Sequence, residues 1–302
     1  MKKPSFIKYA PSWIVFGFIW LAAQLPYTII IFIGKGLGRL LRILLKSREK
    51  VVATNLSICF PQLNPIEKKN LIYKSFTELG IMITQTLKAF LGSTKGIEQR
   101  VIIKGTEHIE TCLEKGQGVL LVAGHFTALD MGGKILCQKY PIAGMYREHK
   151  HPLTEYIVTK SRLKYAKKMF KRDELRPIIK HLKTGGILWY APDQDYRRGQ
   201  SEFIPFFGKQ ASTITATHQM ARLSKCKVIF FHVQRNEPRN KQDPYYTLTL
   251  SPTIENFPSK DPINDTTIIN QGIEAMVRVN PAEYLWVHKR FKTAPPGDDN
   301  PY

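Results

Sequence analysis

Between Pro11 and Gly34 the chain runs for 24 residues without a charged side chain. At ~1.5 Å per residue that is enough helix to span a bilayer. Trp13, Trp20 and Tyr27 suit an interfacial setting, while Gln24 and Pro26 interrupt the run. Pro26 predicts a kink, so a tilted or partly embedded helix stands beside a clean crossing. No A-x-A site follows, which argues against a cleaved signal peptide. Lys35, Arg39, Arg42, Lys46, Arg48 and Lys50 flank the C-terminal end, against Lys2, Lys3 and Lys8 before it. The positive-inside bias puts the rest of the chain in the cytoplasm, tethered to a membrane, and the basic stripe favours anionic headgroups. Gly34-Lys35-Gly36-Leu37-Gly38 looks glycine-rich, but it follows no strand and fits neither G-x-G-x-x-G nor a P-loop.

Charge narrows the partners further. The 302 residues carry 45 Lys and Arg against 24 Asp and Glu, a formal +21. That balance calls for an anionic partner: nucleic acid, membrane surface, phosphorylated substrate or acidic protein. Cys59, Cys112, Cys137 and Cys226 form no C-x-x-C pair and mostly sit in apolar contexts, which fits a reduced compartment.

Downstream of the membrane segment (1–46), residues 47–95 read as helical, with Lys50–Cys59 and then Pro65–Phe90 after an Asn64-Pro65-Ile66-Glu67 start signal. From Val101 the pattern alternates. Strands are expected at 101–103, 119–123, 142–146, 187–191, 228–234 and 246–250. Helices are expected at 127–139, 152–170, 174–183, 212–224 and 265–279. This predicts an α/β domain over 96–293, a central mixed sheet flanked by helices, followed by a flexible tail at 294–302.

Within it, Val119-Leu120-Leu121-Val122-Ala123 reads as a buried strand that breaks at Gly124 and gives way to a helix from Thr127. His125 sits at that handover, where α/β proteins concentrate ligand sites. Asp130 follows five residues on. A pair five apart on a helix diverges by roughly 140°, so His125 reaches Asp130 only from the loop ahead of it. An imidazole so held has one nitrogen on a carboxylate and the other free to take a proton from a hydroxyl. The competing reading makes Thr127-Ala128-Leu129-Asp130 a capping box and His125 a loop residue.

Three further constellations stand out. Arg147 to Arg172 carries nine basic residues, and Lys160, Lys164, Lys167, Lys168 and Lys171 recur at three- and four-residue steps, as on one helix face. It is either a solvated surface or a cradle for phosphates or an acidic carrier. His149 and His151 lack the cysteine or carboxylate spacing of a metal site, and no metal or cofactor is expected. Tyr190-Ala191-Pro192-Asp193-Gln194-Asp195 follows a predicted strand; its carboxylates could bind metal, act as acid and base, orient a substrate or simply make a turn. Glu283-Tyr284-Leu285-Trp286-Val287-His288-Lys289-Arg290-Phe291-Lys292 reads as a membrane-facing strip or a nucleic-acid contact surface.

Taken together these stretches resemble the lipid A biosynthesis lauroyl/myristoyl acyltransferases, a branch of the lysophospholipid acyltransferase superfamily. The likeness covers nearly the whole chain. It rests on His125-x4-Asp130, Met145-Tyr146-Arg147, Ala191-Pro192-Asp193-Gln194-Asp195, Phe203-Ile204-Pro205-Phe206-Phe207 and the closing 283–292 segment, in that order. The resemblance implies fatty acyl transfer, laurate favoured and myristate possible, from acyl carrier protein to a hydroxyl of a phosphorylated Kdo-bearing lipid A precursor. By that analogy the enzyme works on the cytoplasmic side of a bacterial inner membrane, His125 is the general base and Asp130 its orienter. Arg147, Arg162, Lys164, Asp193, Gln194 and Asp195 are the expected substrate-binding residues. Several members have Glu where Asp130 stands, so the geometry here must differ slightly.

The chemistry agrees from the residues alone. There is no G-x-S-x-G elbow and no cysteine in a histidine context, so direct transfer is favoured over an acyl-enzyme. A thioester brings its own good leaving group; the protein must supply a base, oxyanion donors and positioning. The alternatives are a lysophospholipid or glycerol phosphate acyltransferase, or a noncatalytic basic membrane adaptor. Nucleic acid is not an expected partner, because the basic residues accompany a membrane segment.

Overall fold

The computed structural model describes residues 10–197 and 199–302; Lys2, Lys3 and Lys8 lie outside them. Helices α1 (Ala10–Ala23), α2 (Tyr27–Leu44), α3 (Lys46–Cys59), α4 (Pro65–Leu91) and the short α5 (Lys95–Glu98) come first. Strands β1 (Val101–Lys104), β2 (Val119–Val122), β3 (Ile142–Tyr146), β4 (Lys168–Lys171) and β5 (Ile187–Tyr190) then alternate with α6 (Thr106–Glu114), α7 (Leu129–Lys139), α8 (Pro152–Arg162) and α9 (Leu175–Lys183). The hairpin β6 (Ser201–Phe206) and β7 (Lys209–Ile214) precedes α10 (Ala216–Ser224), β8 (Lys227–Arg235), β9 (Tyr246–Leu250) and α11 (Pro262–Val279).

The main sheet has the order β1-β9-β8-β2-β5-β3-β4. The run from β8 to β4 is parallel, whereas β9 pairs antiparallel with β8 and carries β1 parallel to itself. The mixed sheet flanked by helices is therefore as expected. All four residues of β2 are buried, as a strand covered on both faces requires. One cluster on the sheet draws in Val52, Leu56, Phe76 and Leu79 from α3 and α4, so those helices close the core.

The uncharged run folds differently from a single span. Pro26 denies the chain a backbone donor, and α1 stops at Ala23 before α2 restarts at Tyr27. Among the described residues no helix is long and apolar enough to cross a membrane. Tyr27, Ile30, Gly34 and Gly38 face inward from α2 at helical spacing. Gly34, Gly38 and Gly80 bring α2 and α4 into backbone contact: a Cβ at Gly80 would fall 2.2 Å from the Gly34 carbonyl oxygen, and one at Gly38 2.3 Å from that of Phe76. The outward residues are apolar, with Phe18 69% and Phe32 78% exposed.

Two further expectations are corrected. The helix begun at Pro152 ends at Arg162, because residues 168–171 pair with β3 as strand β4. Lys168 and Lys171 thus lie on a strand, and the lysine series lines no single helix face. The tail at 294–302 is not free either. The Tyr302 hydroxyl donates to Asn55 and accepts the Phe291 N–H at 3.1 Å.

Candidate active site

The register of β2 against β5 builds the site. Val122 stands opposite Tyr190, so His125 and Asp193 each lie three residues past a matched pair, at the carboxyl edge of the sheet. Neighbouring parallel strands thereby deliver two side chains to one place, although 68 residues separate them. His125 Nδ1 and Asp193 Oδ1 are 2.5 Å apart, and Asp193 Oδ2 accepts the His125 backbone N–H at 2.8 Å. The second bond fixes the loop as the first fixes the ring.

Asp193 is 1% exposed, yet it stays ionised. Burial works against the charge, but the His125 imidazole, the His125 N–H and the Tyr284 hydroxyl hold the carboxyl far below the usual carboxylate range. Burial likewise disfavours the His125 cation, and the charge and hydrogen bond of Asp193 more than offset it, so the imidazole pKa is raised. With Nδ1 occupied, Nε2 is the nitrogen open to a reactant, on a side chain 32% exposed. The loop is held from two sides. The Leu285 N–H donates to the His125 carbonyl at 3.0 Å and the Thr127 N–H to that of Glu283 at 2.8 Å. From α4, Gln85 Nε2 donates to the Thr127 carbonyl at 2.8 Å.

Asp130 is not the orienter of His125. It sits in the first turn of α7, where its Oδ1 accepts from Arg162 Nε at 3.1 Å and Nη2 at 2.8 Å. The carboxylate at a helix start and the guanidinium at the end of α8 also suit the two helix dipoles. The capping-box reading fails with it: the Thr127 hydroxyl caps nothing and the position before α7 is Ala128. Arg162 stacks on Phe90, its carbon 5.5 Å from the ring centroid.

Gln194 lines a narrow cleft with His125 and Asp193. Asp195 stands behind it and accepts the Thr293 N–H at 3.0 Å. Lys164 lines a separate cavity beyond Arg162. Arg147 is exposed, one residue past β3 on the same carboxyl edge.

The closing segment is corrected most. Tyr284, Trp286, Arg290 and Phe291 are buried, so it is neither a membrane strip nor a nucleic-acid surface. Instead Tyr284, His288 and Arg290 form a wall of the His125 cleft, with Asn55 of α3. Burial pushes His288 down to about 4, and its Nε2 accepts the Asp195 N–H at 3.1 Å, so a neutral ring carries its proton on Nδ1. Arg290 is 1% exposed and bonds the Ser212 carbonyl at 2.8 Å and the Thr213 hydroxyl at 2.6 Å, while its Nε has no acceptor among the described residues. The sequence marked this stretch as unusual but gave no sign of which way it faced. Burial also raises all four thiols, Cys226 to about 11 and Cys137 to about 12, which leaves no ready thiolate nucleophile.

A family model described as bacterial lipid A biosynthesis acyltransferase matches residues 2–293. The chain belongs to that family. It is 35% identical to the lipid A biosynthesis lauroyltransferase of Escherichia coli K12 over 98% of this chain and 95% of that one. It is 32% identical, at the same coverage, to that organism's lipid A biosynthesis palmitoleoyltransferase. Among solved structures, the crystal structure of a Thermotoga maritima 1-acyl-sn-glycerophosphate acyltransferase covers 79% of this chain and 97% of that chain, at 16% identity and a TM-score of 0.34.

Proposed function

We propose that this acyltransferase moves a fatty acyl chain from acyl carrier protein to a hydroxyl of a phosphorylated, Kdo-bearing lipid A precursor at the membrane surface. The observation that carries the reading is the His125–Asp193 pair, with Nδ1 engaged and Nε2 available. His125 Nε2 takes the proton of the acceptor hydroxyl as its oxygen attacks the thioester carbonyl. Asp193 stabilises the imidazolium that forms. The tetrahedral intermediate then collapses, the C–S bond breaks, and the imidazolium returns its proton to the departing thiolate. Asp130 and Arg162 act as positioning residues beside this site, Arg147 and Gln194 shape its approach, and Asp195 braces the closing segment behind it.

The apolar outer surface of α1 and α2 supports a membrane location. Its exposed apolar residues and neighbouring Lys35, Arg39 and Arg42 fit a helix pair lying in the headgroup region. The acyl chain is a matter for assay, because the relatives are named for laurate and palmitoleate alike at 35% and 32% identity. Each methylene is worth only ~1 kcal/mol of discrimination. The test is acyl transfer by the detergent-purified chain, offered lauroyl-, myristoyl- and palmitoleoyl-loaded carrier with a Kdo-modified tetra-acyl acceptor and followed by mass spectrometry. A product heavier by one acyl group, reduced at least ~100-fold in His125→Ala, is expected. Normal turnover by a folded His125→Ala variant would sink the mechanism.

A further inference from the structure

Beside the Arg162–Asp130 pair lies a cavity of about 420 Å³, walled by the end of α4, the middle of α7, the end of α8 and the residues just after it. That volume is within the ~300–1,000 Å³ range of small-molecule sites and exceeds what a bare phosphate fills. Among the described residues Lys134 and Lys164 line it from different elements and no carboxylate does, the charge of Glu98 reaching Lys134 from outside the lining. Among the described residues neither lysine is in an ion pair. Lys134 spends one of its three donors on the Ala89 carbonyl at 2.9 Å. The end of α4 favours a cation there, which accounts for Lys134 but not for Lys164 on the other wall.

The surroundings say what the cavity is for. Its α4 wall is tied to the break between α1 and α2: Gln24 Nε2 donates to the Leu91 carbonyl at 3.1 Å, and Lys88 Nζ to that of Leu25 at 2.9 Å. The cavity therefore stands at the junction of α1 and α2, whose exposed faces carry apolar residues such as Phe18 and Phe32. On its inner side Phe90 is both wall and stacking partner of Arg162, which holds Asp130 at the start of the helix that follows the His125 loop.

We infer that this cavity binds the phosphorylated sugar headgroup of a lipid, with Lys134 and Lys164 as the phosphate ligands. Ammonium groups of different elements, unpaired and lining a shared hollow, meet a phosphate with charge-assisted hydrogen bonds. The position beside the exposed apolar residues of α1 and α2 favours a lipid phosphate over the phosphodiester of a soluble carrier's prosthetic arm. That the bound lipid is the acyl acceptor rests on the function proposed above; that the cavity reads lipid phosphate does not.

The experiment is an equilibrium titration of the full chain in detergent, without acyl donor, against a phosphorylated disaccharide lipid and its dephosphorylated counterpart. The unmodified protein should favour the phosphorylated lipid at least tenfold. Lys164→Gln, at an exposed position, should weaken that lipid about tenfold and leave the dephosphorylated one unchanged, as should Lys134→Gln. Wild-type affinity for both lipids in Lys164→Gln overturns the inference, even if Lys134→Gln fails to fold for want of its bond to Ala89. Loss of affinity for free phosphopantetheine, with lipid binding intact, overturns the lipid assignment in favour of the carrier arm. Lysine-dependent lipid binding with no turnover in the assay above keeps the cavity and removes the reaction.

Discussion

At the scale of single residues, the electrostatics of His125 set a measurable pH dependence. In the mechanism proposed above the base must be neutral to accept a proton, and the raised pKa of His125 should put the acid limb of kcat/KM above the ordinary imidazole value of ~6.5. Asp193→Asn removes the charge that raises it, so the limb should move to lower pH. The plateau should fall by roughly 10²–10⁴-fold, because the ring loses both orientation and the countercharge for its cation. A pH-rate profile of the two proteins checks both effects, and a limb that stays in place would refute the role of Asp193. The histidine was legible in the sequence: a buried strand, a glycine break and an imidazole are all local signals. Its partner was not. Asp130 is near in sequence and Asp193 is near in space, and only the β2–β5 register makes the second pairing.

Among the elements, the longest and most periodic were the easiest to read. The Asn64 N-cap was visible as residue types, and the structure closes it into a full capping box, with Asn64 Oδ1 accepting from Ile66 at 2.9 Å and Glu67 at 3.0 Å. Strand β4 was hidden because its four residues, Lys168-Met169-Phe170-Lys171, continue a lysine spacing that suits a helix equally well. The β6–β7 hairpin was hidden by its turn. Phe207 and Gly208 carry φ of 51° and 80°, and an aromatic residue is a rare occupant of the first of these positions. Here the ring is held by Phe60, 5.1 Å between centroids, and by Arg278 at 4.2 Å. The α1–α2 pair yields its own prediction. A charge on its outer face should weaken attachment, so Phe18→Glu with Phe32→Glu should bind vesicles containing anionic lipid at least tenfold less in a sedimentation assay. Turnover of a detergent-solubilised, short-chain acceptor should stay within about twofold. Equal vesicle binding by the double variant would rule out this face as the lipid contact.

For the molecule as a whole, alternation predicted the class, while the reversed direction of β9 and β1 depends on long-range pairing that no local pattern encodes. The charge of +21 is a property of the entire surface and acts at that range. It should draw in an acidic carrier protein by long-range steering, which salt screens. Raising sodium chloride from 50 to 500 mM should therefore raise KM for the loaded carrier several-fold, leave kcat unchanged and spare a small uncharged thioester donor. An equal effect on both donors would point to salt acting on the enzyme itself.

For an enzyme seated on the membrane as proposed above, the glycine crossing of α2 and α4 has a consequence for how high the reaction takes place above the lipid. With backbones touching at Gly34, Gly38 and Gly80, α2 and the helix that braces the His125 loop through Gln85 cannot slide past one another. The crossing works as a fixed gauge. On that seat it would set the vertical distance from the lipid plane to the imidazole before any substrate arrives. A hydroxyl is then selected as much by its depth in the membrane as by its chemistry, and an acceptor seated a few ångströms deeper or shallower would present the wrong oxygen.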